Sequence, residues 1–294
     1  MVQVSAIKQR TPEWHAARKT GIGGSDAPVV MGLSPWKTPY ELFLEKTDAG
    51  YEPKPETEPM RWGKLLEPIL RQEYERQTGR PIGGEPGLVR HPERDWMIAS
   101  LDGDVPGRVV ELKAPPWQVA GWGEPGTDQI PLPYLIQTHH YLVVTGRPIA
   151  DVAVLLRAAD FRIYTVEADA EIAERIIEAE AAFWALVQAG TPPEITTVED
   201  ATLRWGRAAR PNSIVADAAL LADIKRLRQT RIELEAINER ERAETAAVLA
   251  AIADKGDTVI DGTGALLCTW KATKGSTYTV TKKPGRRFLL KGEE

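Results

Sequence analysis

The chain has 294 residues, 43% of them hydrophobic and 27% charged, which excludes a mainly disordered polymer and leaves enough apolar surface for a large core. Thirty-seven Lys and Arg against 42 Asp and Glu give a net charge of −5, so general basicity does not mark a nucleic-acid binder. One cysteine, Cys268, excludes an intrachain disulfide, a four-cysteine zinc site and an iron–sulfur cluster; with no long apolar run, the expectation is a cytoplasmic protein, neither secreted nor membrane-spanning.

Thr11-Pro12-Glu13 predicts a helix over 12–20 that Gly21 can end, Ser25-Asp26 a second start stopped by Gly32, and Thr38-Pro39 a third helix through about Lys46. After an acidic, proline-rich loop, Trp62, Leu65, Leu66, Ile69, Leu70 and Tyr74 fall at helical spacing up to Gly79, with Pro68 expected to kink the helix. Strand character follows at 87–90, 96–100 and 108–113, with turns at Asp102-Gly103 and Pro106-Gly107, and reads as a meander. A helix over 132–145 closed by Gly146, strands over 151–157 and 161–166, and an alanine-rich helix over 170–189 complete an α/β order that predicts a mixed sheet flanked by helices.

Residues 213–254 contain neither Gly nor Pro, and Leu220, Leu227 and Leu234 recur at seven with Ile224 and Ile237 on the neighbouring stripe. This predicts a long helix or helical hairpin with a coiled-coil-like seam that Glu241 and Glu244 interrupt. A small β-hairpin over 258–270 precedes a tail whose basic residues include Lys282, Lys283, Arg286 and Arg287. The organisation expected is a catalytic domain over 1–210, a helical segment over 211–256 and a β tail over 257–294, the last two serving attachment.

Chemistry concentrates in Ser100-Leu101-Asp102-Gly103-Asp104 and Val109-Val110-Glu111-Leu112-Lys113. An acid in a turn and an acid on the next strand can share a divalent cation, and period-two geometry puts Glu111 and Lys113 on one strand face. Hard oxygen ligands suit Mg²⁺, with Asp102, Glu111 and the Leu112 carbonyl leaving room for waters and phosphate oxygens. An acid-x-Lys triplet alone also describes an ordinary surface hairpin. Gly21-Ile22-Gly23-Gly24-Ser25-Asp26 is a glycine-rich approach to a helix start, where an anion can dock, although its spacing fits neither a P-loop nor a dinucleotide fingerprint. His139 and His140 are adjacent and cannot share a metal from one helix. Trp117 and Trp122 stand in a Gly/Pro-rich loop after the strand carrying Glu111 and Lys113, where a ring could stack on a base, although the usual role of tryptophan is packing.

Five ordered stretches carry a resemblance: residues 18–47, Trp62-Gly-Lys-Leu-Leu-Glu-Pro68, Ser100-Leu-Asp-Gly-Asp-Val105, Val110-Glu-Leu-Lys-Ala-Pro115 and residues 133–146. Together they resemble the YqaJ-like viral recombinase and phage lambda exonuclease family of the PD-(D/E)XK nuclease superfamily, over roughly residues 10–190. The resemblance implies that fold and a metal-dependent deoxyribonuclease trimming linear double-stranded DNA from 5′ ends, for phage-type recombination in a bacterial host. It implies Mg²⁺ as cofactor, with Mn²⁺ as a substitute, and Asp102 and Glu111 as metal ligands, with Asp104 the alternative to Asp102 because the leading acid stands in an Asp-Gly context. It further implies Lys113 as catalytic lysine, Glu67 as another acid of the site, Gln137 beside the scissile phosphate, and Arg18 and Ser25 as receivers of the 5′-phosphate. A closed homo-oligomeric ring around DNA and a single-strand-annealing protein are the implied partners. The competing readings are a structure-specific or single-strand nuclease with the same site, and a non-catalytic scaffold that binds DNA ends.

Overall fold

The computed structural model describes residues 3–5, 7, 9–48, 51, 55–83, 87–115, 120–157, 159–206 and 213–271. The chain divides into two compact units, Met1–Asp200 and Ala201–Glu294.

The first unit opens with β1 (Gln3–Ser5) and three short helices, α1 (Pro12–Lys19), α2 (Ala27–Val30) and α3 (Pro39–Thr47). Capping sets two of these starts: Thr11 accepts from the Trp14 N–H and Thr38 from the Glu41 N–H, each followed by proline. Thr20, not Gly21, caps α1, and α2 is a single turn that begins after Asp26 without a side-chain cap. Helix α4 (Glu58–Thr78) runs unbroken through Pro68 and ends on Gly79, which takes the left-handed conformation at φ 67°. The expected apolar stripe is only partly used: Leu70 and Tyr74 are buried, whereas Trp62, Leu65 and Ile69 are exposed.

Two sheets form where one meander was expected. Strands β1, β2 (Leu88–Arg90) and β3 (Ile98–Ser100) make an antiparallel sheet; β4 (Gly103–Val105), β5 (Arg108–Lys113), β6 (Ile149–Leu156) and β7 (Asp160–Glu167) make a second, mixed one. The break falls at Leu101-Asp102, because the Asp102 carboxylate turns back to accept from the Leu112 N–H at 3.0 Å instead of letting the strand continue. Strand β5 then pairs in parallel with β6, Glu111 opposite Val152 and Lys113 opposite Val154. The crossover contains α5 (Leu132–Thr145), closed by Gly146 at φ 66°, as expected from its sequence. Helix α6 (Ala170–Ala189) follows β7, its Asp169 accepting from the Glu171 and Ile172 N–H groups. The main core packs Val109, Val152, Val154, Tyr164 and Val166 of the sheet against Ile136, Leu142 and Val144 of α5 and Ile176 of α6.

Helix α7 (Val198–Trp205) runs across the boundary between the two units. The second unit contains α8 (Ala218–Ile252), one unbroken helix of 35 residues rather than a hairpin, and none of those residues is buried. It also contains the antiparallel hairpin β8 (Thr258–Ile260) and β9 (Leu266–Thr269), turned where Asp261 accepts from the N–H groups of Thr263 and Ala265. The basic residues from Lys282 to Arg287 and Trp117 lie outside the described residues. No helix among the described residues is long and apolar enough to cross a membrane.

Candidate active site

Strand β5 is the axis of the site. Glu111 and Lys113 share one of its faces, as period two requires, while Leu112 packs away from them among Leu70, Tyr74, Val110 and Ala153. Lys113 Nζ donates to Glu111 Oε1 at 2.5 Å and to Gln137 Oε1 at 3.1 Å. The Gln137 amide, from α5, spends its two hydrogens on Glu111 Oε1 at 2.7 Å and the Tyr141 hydroxyl at 2.9 Å. Gln137 and Tyr141 lie one helical turn apart, so a single face of α5 closes the wall opposite β5. Lys113 also stands over the Tyr134 ring, 5.1 Å from its centre.

Asp102 joins this group from the bend between β3 and β4, and Asp104 does not: Asp104 is held by Arg147 at 2.9 Å. Glu67, from α4, lines the same cleft and is hydrogen-bonded by Arg10, a contact the sequence did not suggest. The cleft measures about 330 Å³ and also exposes Arg18, Ser25, Ser100 and Lys64. All the residues expected at the site therefore converge on one cavity, with Leu112 at its floor.

Two carboxylates sharing a dry corner repel. Burial first, and then the Glu111 charge, raise the Asp102 pKa well above the ordinary carboxylate range despite Lys113. Burial alone would lower the Lys113 pKa, but Glu111 and Asp102 outweigh it and hold the ammonium charged. Glu111 Oε2 is buried without a hydrogen-bond partner among the described residues. Such an atom, on a carboxylate close enough to Asp102 for the two charges to repel, fits a divalent cation that would satisfy both. No group of three or more His, Cys, Asp or Glu side chains gathers for a metal among the described residues. Asp102 and Glu111 without a third His, Cys, Asp or Glu beside them would suit a hard ion that keeps waters rather than a fully protein-ligated zinc.

At the other end of the cleft, Arg18 donates to Ser25 Oγ at 3.0 Å and to Asp26 Oδ1 at 3.0 Å. Asp26 is almost wholly buried; its Oδ2 accepts from Lys46 Nζ at 2.8 Å and from the Gly23 N–H at 3.0 Å. Burial would raise the Asp26 pKa, but Lys46 and Arg18 overcome it and hold the carboxylate far below its usual range. Cationic side chains, rather than the dipole of the one-turn α2, make this end of the cleft anion-receptive. Gly24 is required for a packing reason: a Cβ there would come within 2.3 Å of the Tyr141 ring.

The remaining candidates sort themselves by packing. His140 is fully buried, both ring nitrogens engaged, between Glu180 (Nδ1 to Oε1, 2.7 Å) and the Ile98 carbonyl (Nε2 to O, 2.9 Å). Trp122 is half-buried, its ring packed against Tyr134 and Tyr164 with centroids 5.6 and 5.2 Å apart, which supports a packing role. Sequence reasoning missed Arg10, Tyr134, Asp26 and Lys46, whose roles depend on partners distant along the chain.

Residues 13–148 match the YqaJ-like viral recombinase domain family. The uncharacterized protein YqaJ of Bacillus subtilis (strain 168) is 35% identical over 174 residues, 58% of this chain and 54% of its own, so the chain spans about half the length of that relative. Protein D345L of African swine fever virus is 36% identical over 64 residues, 22% of this chain and 18% of its own. Among solved structures, the alkaline exonuclease LHK-Exo from Laribacter hongkongensis superimposes with a TM-score of 0.52 and 26% identity, covering 62% of this chain and 94% of that one. LHK-Exo in complex with dAMP matches over the same shares with a TM-score of 0.51. The ordered stretches, the mixed sheet and the matched segment agree on one likeness: over residues 13–148 the chain is similar to the YqaJ-like viral recombinase domain.

Proposed function

We propose that the protein is a divalent-metal-dependent deoxyribonuclease that removes nucleotides from 5′ ends of linear double-stranded DNA, with Mg²⁺ as its ion. The observation that carries this reading is one cleft holding both a hydrolytic group, Asp102, Glu111, Lys113 and Gln137, and a cationic pocket, Arg18 with Ser25. The likeness to an alkaline exonuclease supports it.

Asp102, Glu111 and the Leu112 carbonyl would hold the cation, which when bound lowers the pKa of water and stabilises charge on the reacting phosphate. Lys113 stays protonated at neutral pH and lies beside Glu111, placed to neutralise charge building on the phosphate oxygens. Gln137 fixes Lys113 and Glu111 relative to each other, so neither must reorganise during reaction. Attack of water at phosphorus forms a P–O bond and breaks the bond to the 3′-oxygen, which leaves with a proton. The released nucleotide carries its own 5′-phosphate, and the shortened strand begins with a new one. That product is again a ligand for Arg18 and Ser25, so the same pocket can receive every successive end.

Linear duplexes with 5′-phosphate or 5′-hydroxyl ends, digested with Mg²⁺ or with EDTA, test the reading. Faster loss of phosphorylated ends, only with the ion, is expected; Arg18→Ala or Ser25→Ala should shrink the contrast. Cleavage of single strands or flaps alone would favour a structure-specific nuclease, and binding without cleavage a scaffold.

A further inference from the structure

We infer that Arg71 is the positioning residue for Asp102: its guanidinium holds the main chain of the bend so that the Asp102 carboxylate meets a divalent cation beside Glu111. This rests on the reading of Asp102 as a ligand of that cation. Asp102 stands in the bend between β3 and β4, outside both strands, and the Glu111 charge repels its carboxylate. Something other than sheet pairing must hold it before an ion arrives. The Leu112 N–H holds one carboxylate oxygen at 3.0 Å, and Arg71 holds the main chain.

Arg71 lies on α4 one turn after Glu67, on the same face of the helix. Its Nη2 donates to the Asp102 carbonyl and its Nη1 to the Gly83 carbonyl at 3.0 Å. The Gly83 N–H in turn donates to the Asp104 carbonyl at 2.9 Å, so the bonds close a circuit from Arg71 through Asp102 and Asp104 and back through Gly83. The segment that carries Gly83 is itself tied to α4, because the Ile82 N–H donates to Glu75 Oε1 at 2.8 Å. Ile82 also covers Gly103, where a Cβ would come within 2.6 Å of its Cγ2. The residue between Asp102 and Asp104 must therefore be glycine for this segment to close down on the bend.

The circuit asks for arginine. Two N–H groups on one rigid plane span two carbonyls, whereas a single ammonium cannot stand at both Nη positions. The same helix also carries Glu67 into the cleft, so α4 supplies one acid of the site and clamps another, which sets the two in register. Charge and geometry act in opposite senses here. A guanidinium near the site opposes a divalent ion by charge alone, so removing it would tighten the ion if electrostatics ruled. Loss of ion affinity on removing it reports the lost alignment of Asp102, as for other groups that orient a metal ligand.

The test uses the full chain. Melting temperature followed across Mg²⁺ concentrations gives the half-saturating level of the ion without reference to cleavage. Arg71→Met, which keeps the stem and drops the charge, should need about tenfold more Mg²⁺ than the wild type. Arg71→Lys, which keeps the charge and drops the fork, should fall between the two. At saturating Mg²⁺ the single-turnover cleavage rate of both variants should return towards that of the wild type, because the bound ion then holds Asp102 itself. In EDTA the Leu112 amide should exchange about tenfold faster in Arg71→Met, while the amide of Ile176 in the main core keeps its rate. Should Arg71→Met not fold, Arg71→Lys decides the same comparison. An unchanged Mg²⁺ requirement, tighter binding of the ion in Arg71→Met, or an unchanged Leu112 amide would overturn the proposal; a lower melting temperature with the wild-type Mg²⁺ requirement would leave Arg71 a stabilising residue only. A wild type that does not respond to Mg²⁺ would remove the ion reading and this role with it, whereas unchanged variants beside a responsive wild type would remove Arg71 alone.

Discussion

Lys46 and Asp26 meet as a buried ion pair, 2.8 Å from Nζ to Oδ2, and the other oxygen of the same carboxylate holds Arg18 at 3.0 Å. One anion thus anchors two cations and leaves the cleft end with net positive charge. Lys46 also donates to the Arg18 carbonyl at 2.8 Å, so both the backbone and the guanidinium of Arg18 are fixed from below.

Lys46→Met should therefore act on recognition of the DNA end and on stability together. Removing one partner of a buried pair typically costs about 3–5 kcal/mol, which urea denaturation would read directly. Where the variant remains folded, its rate advantage for 5′-phosphorylated ends should fall while digestion of 5′-hydroxyl ends changes little. An equal fall on both substrates would assign Lys46 a purely structural role. The pH dependence has a definite sign: the Asp26 pKa is lowered by folding, so its contribution is present above the ordinary carboxylate range and lost only as pH falls towards its folded value.

Asp102→Asn should trade activity for stability. The amide oxygen can still accept from the Leu112 N–H, but one of two repelling buried charges is gone. In EDTA we expect a gain of about 1 kcal/mol, a melting temperature higher by roughly 2–4 °C, with cleavage abolished. Mg²⁺ should raise the melting temperature of the wild type and leave that of Asp102→Asn nearly unchanged. Equal responses to the ion in both proteins would remove Asp102 from the ligand set.

Lys113→Ala should preserve DNA binding and lower turnover by about 10²–10³, the scale of losing one group that stabilises transition-state charge. Gln137→Ala should have a smaller effect, about tenfold, because Gln137 touches Lys113 and Glu111 and works by holding them. Single-turnover digestion with saturating enzyme separates these from changes in end binding.

His140 gives a second pH signature. Burial would lower its pKa, but the Glu180 carboxylate and the Ile98 carbonyl outweigh burial and raise it, with Asp26 adding in the same sense. A raised pKa means stability fully present below the ordinary histidine value of about 6.5 and lost as pH climbs through the folded value. Melting temperatures measured from pH 6 to 9 should decline, and Glu180→Gln should flatten the decline while lowering stability at pH 6. A flat wild-type profile would contradict the charged pair.

Local signals were legible in the sequence and distant ones were not. Helix α5 announces both its ends, since Pro133 sits in its first turn and Gly146 takes the left-handed position that stops it. Alternation along β5 put Glu111 beside Lys113 for the same reason: period two is a property of the strand itself. The division into two sheets was hidden, because it depends on Asp102 choosing the Leu112 amide ten residues away over strand continuation. Lys46 read as an ordinary cation in the last turn of α3, and only the approach of that helix to Asp26 reveals it as a buried charge. Trp122, an aromatic in a Gly/Pro-rich loop, gave no local sign that its ring packs against the main core.

The parallel pairing of β5 with β6 has a consequence for how the protein is made. By the time Lys113 leaves the ribosome, the acids and the lysine of the cleft have all been synthesised, yet β5 still lacks its central neighbour. That neighbour, β6, ends at Leu156, and Gln137 lies within the intervening crossover. Closing so long a loop is slow compared with forming a hairpin, so the cleft is completed only after β6 has emerged. A nascent chain that stalls before β6 carries Glu67, Asp102, Glu111 and Lys113 without the scaffold that aligns them.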